Sequence, residues 1–225
     1  MRPFVLTRTY YQRIRRFINP VIATILIVLC VRYFVLDTYR IPSDSMQPTL
    51  IDGDHVIGVK IPYGIRIPFG PYIRFSHPKR ADVIVIKRPD HEYYIKRVVG
   101  IGGDTVDLKN GNLSVSGVKV QKKFGMNAKH YRYIDPDHAV YREFIDKEYY
   151  SIVYNVSKRP QDISFPVKLN KGQLFLLGDN RTNSIDSREW GPISDDVVFA
   201  EVVLIWFSKD PLTGEIRWDR IGLIE

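Results

Sequence analysis

Phe17-Ile18-Asn19-Pro20-Val21-Ile22-Ala23-Thr24-Ile25-Leu26-Ile27-Val28-Leu29-Cys30-Val31-Arg32-Tyr33-Phe34-Val35-Leu36 divides this 225-residue chain into two parts of different kind. Its 20 residues, wound at about 1.5 Å per residue, match a hydrocarbon core of about 30 Å. A secretory signal has an apolar centre of only about 7–15 residues, so this longer run reads as an uncleaved membrane anchor. Arg32 stands one turn from the far end, where its side chain reaches the interface beside Tyr33 and Tyr39. On the near side, Arg2, Arg8, Arg13, Arg15 and Arg16 occur with no acidic residue among residues 1–16. Excess positive charge stays cytoplasmic. The pattern therefore predicts a basic cytoplasmic tail over 1–16, a single transmembrane anchor over 17–36 and an exported domain over 37–225.

The tail also accounts for most of the net charge of +8. Without its five arginines, 28 basic residues face 25 acidic ones, and no nucleic-acid-reading motif occurs elsewhere. Nucleic acid is not an expected partner, whereas a lipid bilayer is. Cys30 is the only cysteine and lies inside the apolar run, so no intrachain disulfide or cysteine cluster forms. The five histidines are scattered without ligand spacing, and no metal or other cofactor is expected.

Beyond the anchor the chain breaks into short apolar runs separated by Gly and Pro, the pattern of strands and turns. Asp52-Gly53-Asp54 is a turn before a strand at 55–59. Residues 81–87 (ADVIVIK) are apolar on both faces and predict a central strand, with the next strand at 93–99 (YYIKRVV). Asn110-Gly111 predicts a tight hairpin. Further strands are expected at 174–177, 197–207 and 216–224, and residues 61–78 form an aromatic loop. Residues 116–170 read as an insertion or second β subdomain. No helix beyond the anchor shows a 3.6-residue period, so the exported part is mostly β.

Three segments carry candidate chemistry. In Ile41-Pro42-Ser43-Asp44-Ser45-Met46-Gln47-Pro48-Thr49-Leu50, two prolines stiffen a stretch with serines at i and i+2. In an extended backbone both hydroxyls face one side, as a nucleophile and a helper would. The same residues also make an ordinary polar linker turn. In the strand at 93–99, Tyr94, Lys96 and Val98 share one face, and a lysine buried there would shed its proton and act as a base. Taken alone, Lys96 reads more simply as a surface lysine. The third segment, Gly178 to Gly191, is dense in Asp, Asn, Ser and Arg. Two acid–arginine combinations in so short a span, drawn from Asp179, Arg181, Asp186 and Arg188, suggest a rigid, salt-bridged platform.

Together these segments resemble the signal peptidase I family of membrane-bound Ser–Lys endopeptidases. The resemblance rests on Ser43-Asp44-Ser45-Met46-Gln47-Pro48-Thr49-Leu50, Tyr94-Ile95-Lys96-Arg97-Val98-Val99-Gly100, Gly178 to Gly191 and Pro78-Lys79-Arg80-Ala81-Asp82-Val83. It implies an antiparallel β catalytic domain, anchored in the inner (plasma) membrane, that cleaves signal peptides from preproteins after a small-x-small motif. By the same resemblance Ser45 is the nucleophile, Lys96 the general base and Ser43 an oxyanion donor beside the Ser45 backbone N–H. Ser184 orients Lys96, and Asp186 and Arg188 hold the loop. Ile41, Pro42, Met46, Leu50, Tyr94 and Ile95 line the substrate pocket. Asp44, Gln47 and Thr182 depart from the family pattern, Thr182 in place of an acid.

Overall fold

The computed structural model describes residues 8–67, 70–89, 92–127 and 132–224. Helix α1 (Arg8–Phe34) is followed by β1 (Leu36–Arg40), β2 (Asp54–Val59), β3 (Gly64–Arg66), β4 (Tyr72–Arg74), β5 (Val83–Lys87) and β6 (Tyr93–Ile101). Then come β7 (Thr105–Lys109), β8 (Asn112–Val115), β9 (Val118–Lys119), β10 (Gln121–Asn127), β11 (His138–Ile145) and β12 (Glu148–Asn155). The chain ends with β13 (Val167–Lys168), β14 (Gln173–Leu177), α2 (Ser187–Trp190), β15 (Ile193–Ser194), β16 (Val198–Ser208) and β17 (Gly222–Leu223).

The segment Ile14–Phe34 is long and apolar enough to cross a membrane, and none of it is covered by the rest of the chain. The helix stops two residues before the end of the apolar run. Val35 N–H closes the last helical bond on the Val31 carbonyl, and Leu36 already pairs with Val59. Lys60 secures this junction. Its ammonium donates to the carbonyls of Arg32 and Tyr33 at 3.2 and 3.3 Å and pairs with Asp37 at 3.0 Å. A cation there meets the negative end of the helix.

The main sheet is antiparallel, in the order β1-β2-β16-β5-β6-β14-β15, with β17 beside β16. β5 is central, and Val83, Ile84, Val85 and Ile86 are all buried. An unbroken apolar run is what a strand covered on both faces requires. Asn110 and Gly111, with φ of 51° and 67°, turn β7 into β8.

Residues 116–170 supply the three-stranded sheet β10-β11-β12. They are not packed apart from the rest. Leu108, Leu113, Ile145, Tyr150 and Ile152 share one core with Val99, Phe175 and Leu177 of the main sheet.

Three expectations are corrected. Residues 216–224 form a turn and the short β17 in place of one strand. Arg217 bends inward to Asp210 and the Asp52 carbonyl, and Arg220 to Asp54, so side-chain anchoring overrides strand propensity. A one-turn helix, α2, lies within the polar segment 178–191, where the sequence predicts no helix, its first turn capped by Asp186 accepting from Arg188 N–H. The aromatic loop at 61–78 contains the hairpin β3–β4, and Tyr63 is buried with its hydroxyl on Asp82 at 2.9 Å. Phe69 lies outside the described residues.

One buried ion pair joins β11 to the polar loop. Arg181 donates through Nη1 to Glu143 Oε1 at 2.8 Å and through Nη2 to Oε2, and Tyr150 donates to Oε2 at 2.9 Å. Both charges are 1% exposed. Removing one partner from such a pair costs about 3–5 kcal/mol because the other charge stays buried, whereas an apolar replacement of both is tolerated far better. Glu143→Ala is accordingly expected to cost about 3–5 kcal/mol in chemical denaturation, and Glu143→Met with Arg181→Met to lose less than that single change.

Candidate active site

Between β1 and β2 the chain is drawn inward by backbone bonds from Ile41 N–H to the Asp54 carbonyl and from Gly53 N–H to the Ile41 carbonyl. Past Ser43 it turns, with Gln47 N–H on the Asp44 carbonyl at 3.1 Å and Leu50 N–H on the Met46 carbonyl at 2.9 Å. The extended geometry expected from the two prolines is therefore replaced by a turn. Asp44 helps to hold it by accepting from Asp52 N–H at 3.2 Å. Ser43 and Ser45 still lie together, with their hydroxyl oxygens 3.4 Å apart. Asn180 pins the turn from the other side. Its N–H donates to the Ser45 carbonyl and its Nδ2 to the Asp44 carbonyl, at 3.1 and 3.2 Å. Among the described residues, nothing accepts a hydrogen bond from the Ser45 N–H.

Lys96 comes from β6. Its Nζ lies 2.8 Å from Ser45 Oγ and 3.1 Å from the Ile95 carbonyl, and the residue is 3% exposed. Burial disfavours the ammonium and draws its pKa down to about 8, assisted by Arg188 and opposed by Asp186 and Asp179. Neither carboxylate reaches Lys96 as an ion-pair partner. Asp179 receives Nε and Nη2 of Arg97 at 2.8 and 2.7 Å. Asp186 receives Nε and Nη2 of Arg188, both at 2.7 Å, together with Gly178 N–H at 2.9 Å. The two nearest acids are already committed to arginines, which keeps Lys96 a weakly held proton carrier.

The polar loop thus pairs differently from its sequence order. Asp186 and Arg188 do pair within it, but Asp179 reaches back to Arg97 and Arg181 crosses to Glu143. Thr182 joins no ion pair and accepts from Asn155 N–H of β12 at 2.8 Å. Ser184 makes no hydrogen bond to Lys96. Its Oγ is buried without a partner, pressed against Gly178, where a Cβ would lie 2.2 Å from that oxygen and 2.5 Å from the Ser45 carbonyl oxygen. That close approach requires glycine.

A cleft of about 470 Å³ runs past Ser43, Ser45 and Lys96. Ile41, Pro42, Met46, Tyr94 and Ile95 line it as expected, together with Asp37, Thr38, Tyr39, Arg40, Glu92 and Tyr93. Tyr39 and Tyr93 approach across it, with ring centroids 5.7 Å apart. Leu50 is a correction. The turn that follows Ser45 carries it inward, fully buried in the core with Val56, Val85 and Val202. β1 lies at the end of the sheet, and β14 accompanies β6 only as far as Arg97, leaving Ile95 and Lys96 beyond its reach.

Sequence reading missed Thr49, which donates to Asp179 and accepts from Arg97 Nη2 at 3.2 Å. It also missed β1, hidden by its fusion to the apolar run. Elsewhere, folding brings ligand atoms of Asp135, Asp137 and His138 within 4.8 Å of one another. The oxygens of Asp137 are engaged by His138 Nδ1 and Asn155 Nδ2.

Over most of its length the chain is similar to known proteins. The family described as "Signal peptidase, peptidase S26" matches residues 14–207. Signal peptidase I of Pseudomonas aeruginosa is 33% identical over 216 residues, covering 88% of this chain and 75% of that protein. Signal peptidase I of Buchnera aphidicola subsp. Baizongia pistaciae is 30% identical over 248 residues, covering 89% and 80%. Signal peptidase I V of Bacillus subtilis is 29% identical over 174 residues, covering 77% and 88%. The match runs from α1 into β16, and the chain belongs to the signal peptidase family, peptidase S26, as a hydrolase of that family.

Proposed function

We propose that this chain is a single-pass membrane endopeptidase that removes signal peptides from exported preproteins with a Ser45–Lys96 dyad. The observation that carries the reading is the 2.8 Å contact between Lys96 Nζ and Ser45 Oγ, made by a buried lysine that no carboxylate neutralises. With Nζ neutral, that contact reverses and the hydroxyl donates to the amine. Ser45 Oγ then attacks the scissile carbonyl as Lys96 takes its proton. The oxyanion is met by the Ser45 N–H and by Ser43 Oγ turned from its position beside Ser45. One such donor is worth about 100–1000-fold in rate. The Lys96 ammonium protonates the departing amine. It next accepts a proton from the water that hydrolyses the acyl ester. To Ser184, whose buried hydroxyl has no partner, we assign the orienting of Lys96 during these transfers, through a hydrogen bond it does not make in the resting site.

The substrate lies extended between β1 and the start of β6, adding its backbone to strand edges. Extended residues alternate in direction, so the first and third positions before the cut face the same wall. A small-x-small preference follows if that wall, with Ile41, Pro42 and Ile95, admits only short side chains. The basic tail keeps the N-terminus cytoplasmic and sets the cleft on the exported side of the inner membrane.

Purified full-length protein is expected to cleave a preprotein after a small-x-small motif, and Ser45→Ala to abolish the cut. Full activity in Ser45→Ala would sink the mechanism. Lys96→Met is likewise expected to be inactive, yet more stable by about 1–3 kcal/mol at pH 7, since it removes a buried charge.

The pH dependence has a defined sign. Lys96 works as a base only when neutral, so kcat/KM is expected to rise with pH through about 8. Stability follows the same group. The unfolded chain holds this proton to a pKa of 10.5 and the folded one releases it near 8. The full penalty is present below about 8, and stability grows with pH between those values. A flat rate profile between pH 6 and pH 10 would exclude Lys96 as the base.

Gly178→Ala tests the packing behind the dyad. Its methyl group collides with Ser184 and the Ser45 carbonyl. A displacement of about 1 Å there is expected to lower kcat about 100-fold in single-turnover assays.

A further inference from the structure

The catalytic cleft does not end at β1. Where α1 meets β1, Ile27, Val28, Val31, Arg32 and Leu36 form a crevice of about 330 Å³ that closes on Asp37 and Thr38. The same two residues line the mouth of the catalytic cleft. Crevice and cleft adjoin at Asp37 and Thr38, so the uncovered helix surface lies next to the cleft that holds Ser45. Its helical wall is uncovered, with Ile27 63% and Val28 57% exposed. Its angle is set by Lys60, which ties the last helical carbonyls to Asp37 at the point where the two cavities join.

From this continuity we infer that the crevice seats the apolar segment of the substrate, an aliphatic helix lying just ahead of the bond to be cut. The inference rests on the signal-peptide reading above. From Ile27 to the end of the helix at Phe34 is about 11 Å, and an apolar signal core of about 7–15 residues is about 10–22 Å long, so the crevice takes the shorter cores end to end and the last turns of the longer ones. Between two apolar helices in lipid there is no hydrophobic gain, and shape and end contacts decide the pairing. A concave face whose end opens into the active site supplies both. Weak seating there raises the local concentration of the cleavage sequence at Ser45, which lowers KM without altering the chemical step.

The test uses the full-length enzyme in phosphatidylethanolamine–phosphatidylglycerol vesicles. It compares a preprotein carrying its whole signal with a short soluble peptide that spans only the cut. Val28→Trp and Val31→Trp fill the crevice while keeping α1 apolar. The ratio of preprotein to peptide kcat/KM is expected to fall about 5–10-fold, through KM for the preprotein. Leu26→Trp and Leu29→Trp, on the opposite face of the helix, should leave that ratio unchanged. An unchanged ratio in the crevice variants, or an equal fall from both faces, overturns the inference and leaves lipid or a second copy of the chain as the occupant. Wild-type enzyme that cuts neither substrate refutes the assigned reaction itself, and the substrate-docking inference falls with it.

Discussion

Two neighbouring cations, Lys96 and Arg97, are both buried in β6, and only one of them is given a carboxylate. Arg97 holds Asp179 with two bonds, the Ala81 carbonyl with a third, and lies 4.3 Å over the ring of Tyr150. Its charge is thereby accommodated. Lys96 receives a hydroxyl and a carbonyl. Those partners cannot offset the loss of hydration, so the amine leans toward its neutral form. Arginine could not serve in its place, because guanidinium keeps its proton under any such condition. The division of acids between two adjacent bases is the constraint that the rest of the site obeys.

Supporting that division takes elements far apart in the chain. Asp179 belongs to the loop after β14, Thr49 to the turn after Ser45, and Tyr150 to β12. The same β12 receives the loop through backbone bonds between Val153 and residues Asp179 and Arg181. Glu143 of β11 then fixes the Arg181 side chain. The sheet β10-β11-β12 is thus a buttress for the loop that pins the Ser45 turn. Its polar composition reflects buried ion pairs as well as solvent exposure, and these enforce a particular arrangement more than they add stability.

Much of this was legible from local pattern. The anchor declares itself by length and flanking charge, β5 by an apolar run and the β7–β8 hairpin by Asn-Gly, because each depends on neighbours in the chain. The Ser45 and Lys96 segments stood out only together, and through family resemblance. Separately, each read as something ordinary. Leu50 was misplaced because a turn reversed the chain after Ser45, and residues 216–224 because Arg217 and Arg220 are pulled to distant acids. Asp179 and Arg181 likewise find their partners outside the loop, in Arg97 and Glu143.

Residue types and their local order were enough to establish a membrane-length helix, a mostly β remainder and a short set of reactive side chains. Folding settled which acid meets which base, and that among the described residues Lys96 has no carboxylate at ion-pair distance. Those properties depend on distances between segments up to 166 residues apart, as between Asp54 and Arg220. Hydrogen bonding and charge pairing act over a few ångströms of space, and separation along the chain does not enter them.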